Sequence, residues 1–110
     1  MKIPNASRAL ISHAQLVAYL LHPTHHRGSA KAQRLSRFGY RPDTWHRLVH
    51  DLHRFHLPRE VDVVRQTRYG TRYEIHAVVD TPSGRRLTLR SIWQMEEDTD
   101  VARLLTLVPD

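Results

Sequence analysis

The stretch RRLTLRSIW, Arg85–Trp93, decides the fold because polar and apolar residues alternate along it with a period of two. Successive side chains of a β-strand point to opposite faces of the sheet, so this alternation predicts a strand with one buried and one exposed face. The more apolar face carries Leu87, Leu89, Ser91, Trp93 and Met95, and the other carries Arg86, Thr88, Arg90, Ile92 and Gln94. The segment therefore indicates a sheet with a core on one side and basic groups on the other.

The same period of two returns in neighbouring stretches beyond Pro58. We predict strands over Glu60–Gln66, Thr71–Asp80, Arg86–Glu96 and Val101–Val108. The sequence Thr81-Pro82-Ser83-Gly84 is typical of a turn between the middle two strands, and polar residues at 96–100 precede the last strand. Because short turns join antiparallel neighbours, these strands predict a four-stranded antiparallel meander.

Before Pro58 the apolar residues recur with a helical period. The predicted helices begin at the cap Ser12 and end before Pro23, run over Ala30–Phe38 with Gly39 as the stop, and begin at the cap Asp43 and end near Phe55. The third helix carries an apolar stripe formed by Trp45, Leu48, Val49, Leu52 and Phe55. Helices over about residues 1–57, followed by strands over about 58–110, predict an α+β domain whose helices pack on one face of the sheet.

Composition limits the number of domains and the means of stabilising them. A chain of 110 residues with 40% apolar residues can build one modest core, so we expect a single domain over 1–110. The absence of cysteine excludes disulfides and thiolate metal sites. Core packing must therefore hold the fold together.

The charge balance favours a polyanionic partner. Seventeen basic residues against eleven acidic ones give a formal net charge of +6, and only Lys2 and Lys31 among the basic residues are lysines. The planar guanidinium of arginine matches phosphate geometry and stacks on bases, which favours nucleic acid. The chain begins without the apolar run of a signal peptide and has no apolar run of the ~20 residues that span a bilayer, so we expect a cytoplasmic protein without membrane contact.

Six stretches of the sequence carry a resemblance to a known family. They are KIPNA at Lys2–Ala6, YLLHPTHHRGSAKA at Tyr19–Ala32, RFGY at Arg37–Tyr40, YGTRYEI at Tyr69–Ile75, GRRLTLRSIW at Gly84–Trp93 and the closing RLLTLV. Together they resemble an uncharacterised bacterial domain family whose members occur as small stand-alone proteins and as carboxy-terminal domains of toxins. That family is similar to the barnase, EndoU, colicin and RelE-like ribonuclease fold, and the resemblance spans nearly the whole chain.

The resemblance implies a set of site residues. A proline-flanked histidine followed by Gly and Lys-Ala matches His25, Gly28, Lys31 and Ala32, and an Arg-Ser pair before Trp matches Arg90, Ser91 and Trp93. The sequence departs from the family pattern at two positions. His26 stands where proline is common and His22 where asparagine is common, which leaves open which imidazole is essential.

RNA cleavage by its own 2′-hydroxyl suits these residue types, since it needs a base, cationic donors for the phosphate and an acid, and requires no metal or other cofactor. The predicted catalytic residues are His25, Lys31, His76, Arg90 and Thr106. The predicted substrate-binding residues are Arg27, Gly28, Arg72, Thr88, Ser91 and Trp93.

Structural explanations compete with several of these roles. His25 fits a surface loop, Lys31 a solvated helix residue, and Arg90 a cross-strand ion pair with Glu74. Trp93 fits the core better than a base-stacking platform, because it falls on the apolar strand face. The histidines of the third helix, His46, His50 and His53, have zinc-like spacing, but the only carboxylate on that helix lies on a different face, so no metal site is predicted.

The sequence thus favours a metal-independent endoribonuclease, the toxin of a toxin–antitoxin or intercellular-competition module. Its expected partners are RNA, such as tRNA or mRNA, and a small acidic antitoxin or immunity protein that covers the basic cleft. One alternative is a non-catalytic module that binds RNA or DNA. Another is a protein-interaction domain whose basic surface is incidental.

Overall fold

A computed structural model describes residues 1–22 and 29–110. The expectations for Pro23, His25, Arg27 and Gly28 lie outside these described residues. The helices are α1 (His13–Gln15), which continues into a π-helical segment (Leu16–Leu20), then α2 (Ser29–Arg37) and α3 (Trp45–Phe55). Short 3-10 turns cover Ala6–Arg8 and Pro42–Thr44.

The strands are β1 (Val63–Thr67), β2 (Gly70–Asp80), β3 (Arg86–Met95) and β4 (Arg103–Pro109). Each pairs antiparallel with the next along the chain, in the order β1-β2-β3-β4, so the meander predicted from the sequence is confirmed. Between β3 and β4 the register shifts at Ile92 and Trp93. The α+β class, with helices before a four-stranded sheet, is also confirmed.

The hairpin between β1 and β2 depends on Gly70. Its φ is +125°, in the region that favours glycine, and a Cβ at this position would lie 2.1 Å from the main-chain oxygen of Met95. Thr67 closes the turn, since its hydroxyl donates to the Gly70 carbonyl at 2.9 Å and accepts from the Tyr69 N–H at 3.1 Å. The turn therefore fixes the register of the edge strand.

Two of the predicted helix signals are confirmed and one is wrong. The Ser12 hydroxyl accepts from the Gln15 N–H at 3.1 Å, and Gly39, with φ +94°, follows the end of α2. Asp43 does not cap the third helix, because the 3-10 turn precedes α3 and the Asp43 carboxylate pairs with Arg41 at 3.2 Å. Thr44 closes that turn instead, accepting from the Arg41 N–H at 2.8 Å.

The core lies between the helices and one face of the sheet. Its sheet side is formed by Tyr73, Ile75, Ala77, Val79, Leu87, Leu89, Trp93, Leu104 and Leu107. Its helical side includes Leu16, Leu20, Leu35, Leu48 and Leu52, all fully buried. None of the described helices is long and apolar enough to cross a membrane.

A buried polar cluster of His56, Ser91 and Trp93 stands inside this core. The His56 Nε2 lies 3.1 Å from the Ala77 carbonyl, which can only accept, so Nε2 carries the proton of the neutral ring. Nδ1 then accepts from the Ser91 hydroxyl at 2.7 Å, and the same hydroxyl oxygen accepts from the Trp93 indole at 2.8 Å. Burial lowers the pKa of His56 to about 4, so the ring is neutral at neutral pH.

This cluster corrects the substrate-binding role predicted for Ser91 and Trp93. Both side chains are 0% exposed on the helix-facing side of the sheet, where no nucleotide can reach them. The strand period had assigned them to that face correctly. The polar atoms of Ser91 and Trp93 have hydrogen-bond partners inside the core, so the role of these side chains is to stabilise the core.

A second buried polar cluster joins α3 to the segment before it. The Arg47 Nε donates to both carboxylate oxygens of Asp51, at 3.0 and 2.9 Å, and the Tyr40 hydroxyl donates to the same carboxylate. Burial and the nearby carboxylate raise the pKa of Tyr40. Asp51 is 1% exposed, so these bonds compensate the cost of burying its charge.

Candidate functional site

The sheet face opposite the core, which we call the open face, carries most of the polar side chains of the strands. Its members on β2 and β3 are Arg72, Glu74, His76, Val78, Asp80, Arg86, Thr88, Arg90, Ile92 and Gln94, and those on β4 are Arg103, Thr106 and Val108. Most of them are exposed or half-buried, in contrast to the core face. The open face therefore offers a polar surface on a rigid sheet.

The strand register places the central groups of the open face next to each other. His76 is directly opposite Arg90, and Glu74 is opposite Ile92, which in turn is opposite Thr106. Directly opposite residues have Cβ atoms about 5 Å apart and diagonal neighbours about 7 to 8 Å apart. The imidazole of His76, the carboxylate of Glu74 and the guanidinium of Arg90 thus share one patch.

Lys31 reaches this patch from α2. Its ammonium donates to the Thr106 hydroxyl at 3.3 Å, a contact between residues 75 positions apart in the sequence. The structure therefore brings together four of the five predicted catalytic residues, namely Lys31, His76, Arg90 and Thr106. The fifth, His25, lies outside the described residues.

Among residues 1–22 and 29–110, three donor nitrogens on the open face have no hydrogen-bond partner. They are Arg72 Nε, Arg90 Nε and Gln94 Nε2, all of them buried atoms. Gln94 is 2% exposed and lies directly opposite Arg72. A buried donor without an acceptor costs about 1 to 3 kcal/mol, and an incoming anion would relieve that cost. The unpartnered donors therefore indicate a place for acceptor oxygens.

The cross-strand ion pair considered for Arg90 and Glu74 is not formed. Neither residue belongs to an ion pair within residues 1–22 and 29–110, and Arg90 faces His76 instead of Glu74. Both charges are consequently available to a ligand. Arg72 and Thr88, two predicted substrate-binding residues, lie on the same face.

Sequence reasoning missed Glu74 and Gln94 as site residues. The period of two already assigned both to the basic face, which was the signal that could have found them. Gln94 was overlooked because an amide carries no charge. Glu74 was treated only as a partner that would neutralise Arg90.

Two surface clefts lie away from these groups. One, of about 340 Å³ at the outer edge of β4, is lined by Leu10, Ile11, Ser12, Gln15, Arg103 and Leu104. The other, of about 210 Å³, is lined by Ala6, Ser7, His53, Leu57 and Pro58. Neither is lined by Lys31, His76 or Arg90, and both have mainly apolar walls, so neither suits a phosphodiester.

The histidines of α3 have other contacts. The ring of His46 stacks on Trp45 with centroids 4.0 Å apart, and His50 Nδ1 lies 3.3 Å from an Asp51 carboxylate oxygen. In the part of the chain that the structure describes, no three His, Cys, Asp or Glu side chains form a group suited to a metal ion.

Comparison with known proteins identifies the family. The family described as a domain of unknown function, DUF6883, matches residues 2–110, nearly the whole chain. No curated protein and no solved structure matches the chain significantly. The chain therefore belongs to the DUF6883 family.

Proposed function

We propose that this protein is a metal-independent endoribonuclease acting on the open face of its sheet. The observation that carries the proposal is the set of unpartnered donors, Arg72 Nε, Arg90 Nε and Gln94 Nε2, around the imidazole of His76 and the carboxylate of Glu74. An RNA phosphodiester supplies the acceptor oxygens that these donors lack. The resemblance to the barnase, EndoU, colicin and RelE-like fold supports the same reaction.

The proposed reaction is attack of the 2′-oxygen on the adjacent phosphorus. A bond forms between these two atoms, the bond from phosphorus to the 5′-oxygen breaks, and the products are a 2′,3′-cyclic phosphate and a 5′-hydroxyl. Arg90 and Lys31 stabilise the charge that develops on the phosphate oxygens. Thr106 holds the ammonium of Lys31 toward the site.

Proton transfer requires one acceptor and one donor near the phosphate. Glu74, whose carboxylate forms no ion pair with another described residue, accepts the proton of the 2′-hydroxyl in this scheme. His76 donates a proton to the leaving 5′-oxygen in this scheme, since an imidazolium can act as a general acid. His25 stays a predicted second imidazole for this role.

The biological setting that we propose is a toxin of a toxin–antitoxin or intercellular-competition module. A net charge of +6 suits an RNA substrate such as tRNA or mRNA, and it also suits a small acidic antitoxin or immunity protein. Carboxylates of such an inhibitor would occupy the unpartnered donors of the open face. The reaction would then take place in the cytoplasm.

The decisive experiment incubates the purified protein with single-stranded RNA in excess EDTA and identifies the product ends. We expect 2′,3′-cyclic phosphate ends from the wild type, and a loss of about 100-fold or more in rate for Arg90→Ala, Lys31→Ala and His76→Ala. The matched control is Arg54→Ala, which removes an exposed arginine from α3 and should leave cleavage unchanged.

Two other outcomes would replace the proposal. RNA that is bound with strong salt dependence but stays intact would indicate a non-catalytic nucleic-acid-binding module. RNA that is neither bound nor cut would indicate a protein-interaction domain with an incidental basic surface.

A further inference from the structure

A second basic cluster lies beyond the open face, where the end of α2 meets the turn between β2 and β3. It consists of Arg34, Phe38 and Arg85, and we call it the arginine–aromatic cluster. The Arg85 guanidinium carbon lies 4.4 Å from the centroid of the Phe38 ring, and that of Arg34 lies 6.0 Å from it. Two cations thus flank one half-buried ring.

Hydrogen bonds to the main chain fix both guanidinium groups. Arg85 Nη2 donates to the Arg37 carbonyl at 2.9 Å, and Arg34 Nη2 donates to the Asp110 main-chain oxygen at 2.9 Å. Each of these bonds uses one donor and leaves the remaining guanidinium N–H groups free for a ligand. A side chain that is already ordered loses less entropy when it binds.

No side-chain carboxylate of the described residues neutralises this cluster. Among the residues that the structure describes, Arg34, Arg37 and Arg85 form no ion pair with a side-chain carboxylate. Other arginines of the chain do, including Arg47, which pairs with Asp51 at 2.9 Å. A local excess of fixed positive charge attracts a polyanion.

The cluster is continuous with the open face. Lys31 and Arg34 are three residues apart on α2, so their side chains are neighbours on the helix surface. Arg34 contacts Asp110, and the Asp110 N–H donates to the Thr88 carbonyl at 2.9 Å. Thr88 lies two residues from Arg90 on the open face. The basic groups therefore follow one path from the sheet along α2.

The length of this path fits a short piece of single-stranded nucleic acid. Phe38 lies seven positions after Lys31 and directly follows the end of α2 at Arg37, which corresponds to a rise of about 10 Å. Stacked nucleotides rise ~3.4 Å each along one strand, so the path accommodates about three of them.

We propose that the arginine–aromatic cluster binds the single-stranded RNA that flanks the cleaved phosphodiester, an inference that rests on the proposed ribonuclease function. Arg85 has one guanidinium face on the Phe38 ring and presents the other to a base, because bases stack on guanidinium planes. Arg34 contacts a backbone phosphate. Phe38 is a positioning residue, because its ring supports the guanidinium group of Arg85.

The test measures binding apart from cleavage. A fluorescent oligodeoxynucleotide lacks the 2′-hydroxyl nucleophile and stays intact, so anisotropy reports its affinity for the wild type and variants at several salt concentrations. Oligonucleotides of about 4 and about 12 nucleotides distinguish the open face alone from the open face plus the cluster. Cleavage of a short RNA is measured in parallel.

We expect the double variant Arg34→Ala, Arg85→Ala to weaken binding of the longer oligonucleotide and to lower its salt slope by about 0.7, because Arg34 contacts a phosphate whereas Arg85 stacks on a base. Arg85→Lys keeps the charge but loses the stacking plane, so it should weaken binding about fivefold or more. The short oligonucleotide and cleavage of the short RNA should not change. The matched control is Arg54→Ala, which disrupts another arginine–aromatic pair, with Phe55 at 5.0 Å on α3.

Wild-type affinity and salt slope in the double variant would overturn this inference while leaving the ribonuclease proposal intact. A protein that cuts no RNA but loses affinity in the double variant would overturn the ribonuclease proposal and keep the cluster as a binding surface. A wild type that binds neither oligonucleotide and cuts no RNA would overturn both proposals.

Discussion

Acid should destabilise the fold through one buried histidine. His56 is 0% exposed, and burial lowers its pKa from 6.5 to about 4. Between these two values the unfolded chain binds a proton that the folded chain does not, so stability falls as the pH falls. The stabilisation by neutral His56 is thus present above about pH 6.5 and is lost toward pH 4.

The size of the effect follows from the two pKa values. The gap between 6.5 and about 4 corresponds to about 3 kcal/mol of unfolding free energy at most. Most of it, about 2.5 kcal/mol, is lost on going from about pH 7 to about pH 4.5. Burial is the main cause, and protonation would also break a hydrogen bond, because a protonated Nδ1 can no longer accept from the Ser91 hydroxyl.

The assay is urea unfolding of the wild type and of His56→Gln at both pH values. Glutamine does not titrate, and its amide can donate to the Ala77 carbonyl and accept from the Ser91 hydroxyl as the neutral imidazole does. All other ionisable groups are the same in the two proteins, so their contributions to the pH dependence cancel in the comparison. Equal loss of stability in the two proteins would refute the reasoning.

Three further predictions concern single positions. Gly70→Ala should lower the unfolding free energy by about 2 kcal/mol or more in urea titrations, since its Cβ would lie 2.1 Å from the Met95 carbonyl oxygen. Tyr40→Phe should cost about 1.5 to 3 kcal/mol by the same measurement, because Asp51 loses a hydrogen bond to a buried charge. Arg90→Ala should abolish RNA cleavage without lowering the melting temperature, because its Nε makes no hydrogen bond in the fold. A melting temperature that falls together with activity would identify Arg90 as structural.

Much of the fold could be predicted because its signals are local. The alternation in Arg85–Trp93 determines which strand face is buried, and the turn residues between β2 and β3 determine which strands are neighbours. The role of Thr44 is not evident from the sequence, because it depends on a 3-10 turn of three residues before α3. Either side chain could have accepted a main-chain hydrogen bond.

The site was less predictable because it depends on distant contacts. The bond from Lys31 to Thr106 requires α2 to lie beside β4, and no sequence period carries that information. Ser91 was assigned to the correct face but to the wrong role, because its partner His56 comes from the chain after α3. A polar residue on an apolar face is better read as a member of a buried cluster.

Polar side chains on the two faces of β3 differ in whether their hydrogen-bonding atoms have partners. This contrast favours a function for the open face. On the core face, Ser91 and Trp93 satisfy each other and His56 with bonds of 2.7 and 2.8 Å. On the open face, Arg90 and Gln94 have buried nitrogens without acceptors. Chain stability alone would favour apolar or fully paired residues at both positions. Donors that the fold leaves unpaired on a rigid strand are explained if their acceptors come from a bound anion, as in the proposed phosphodiester complex.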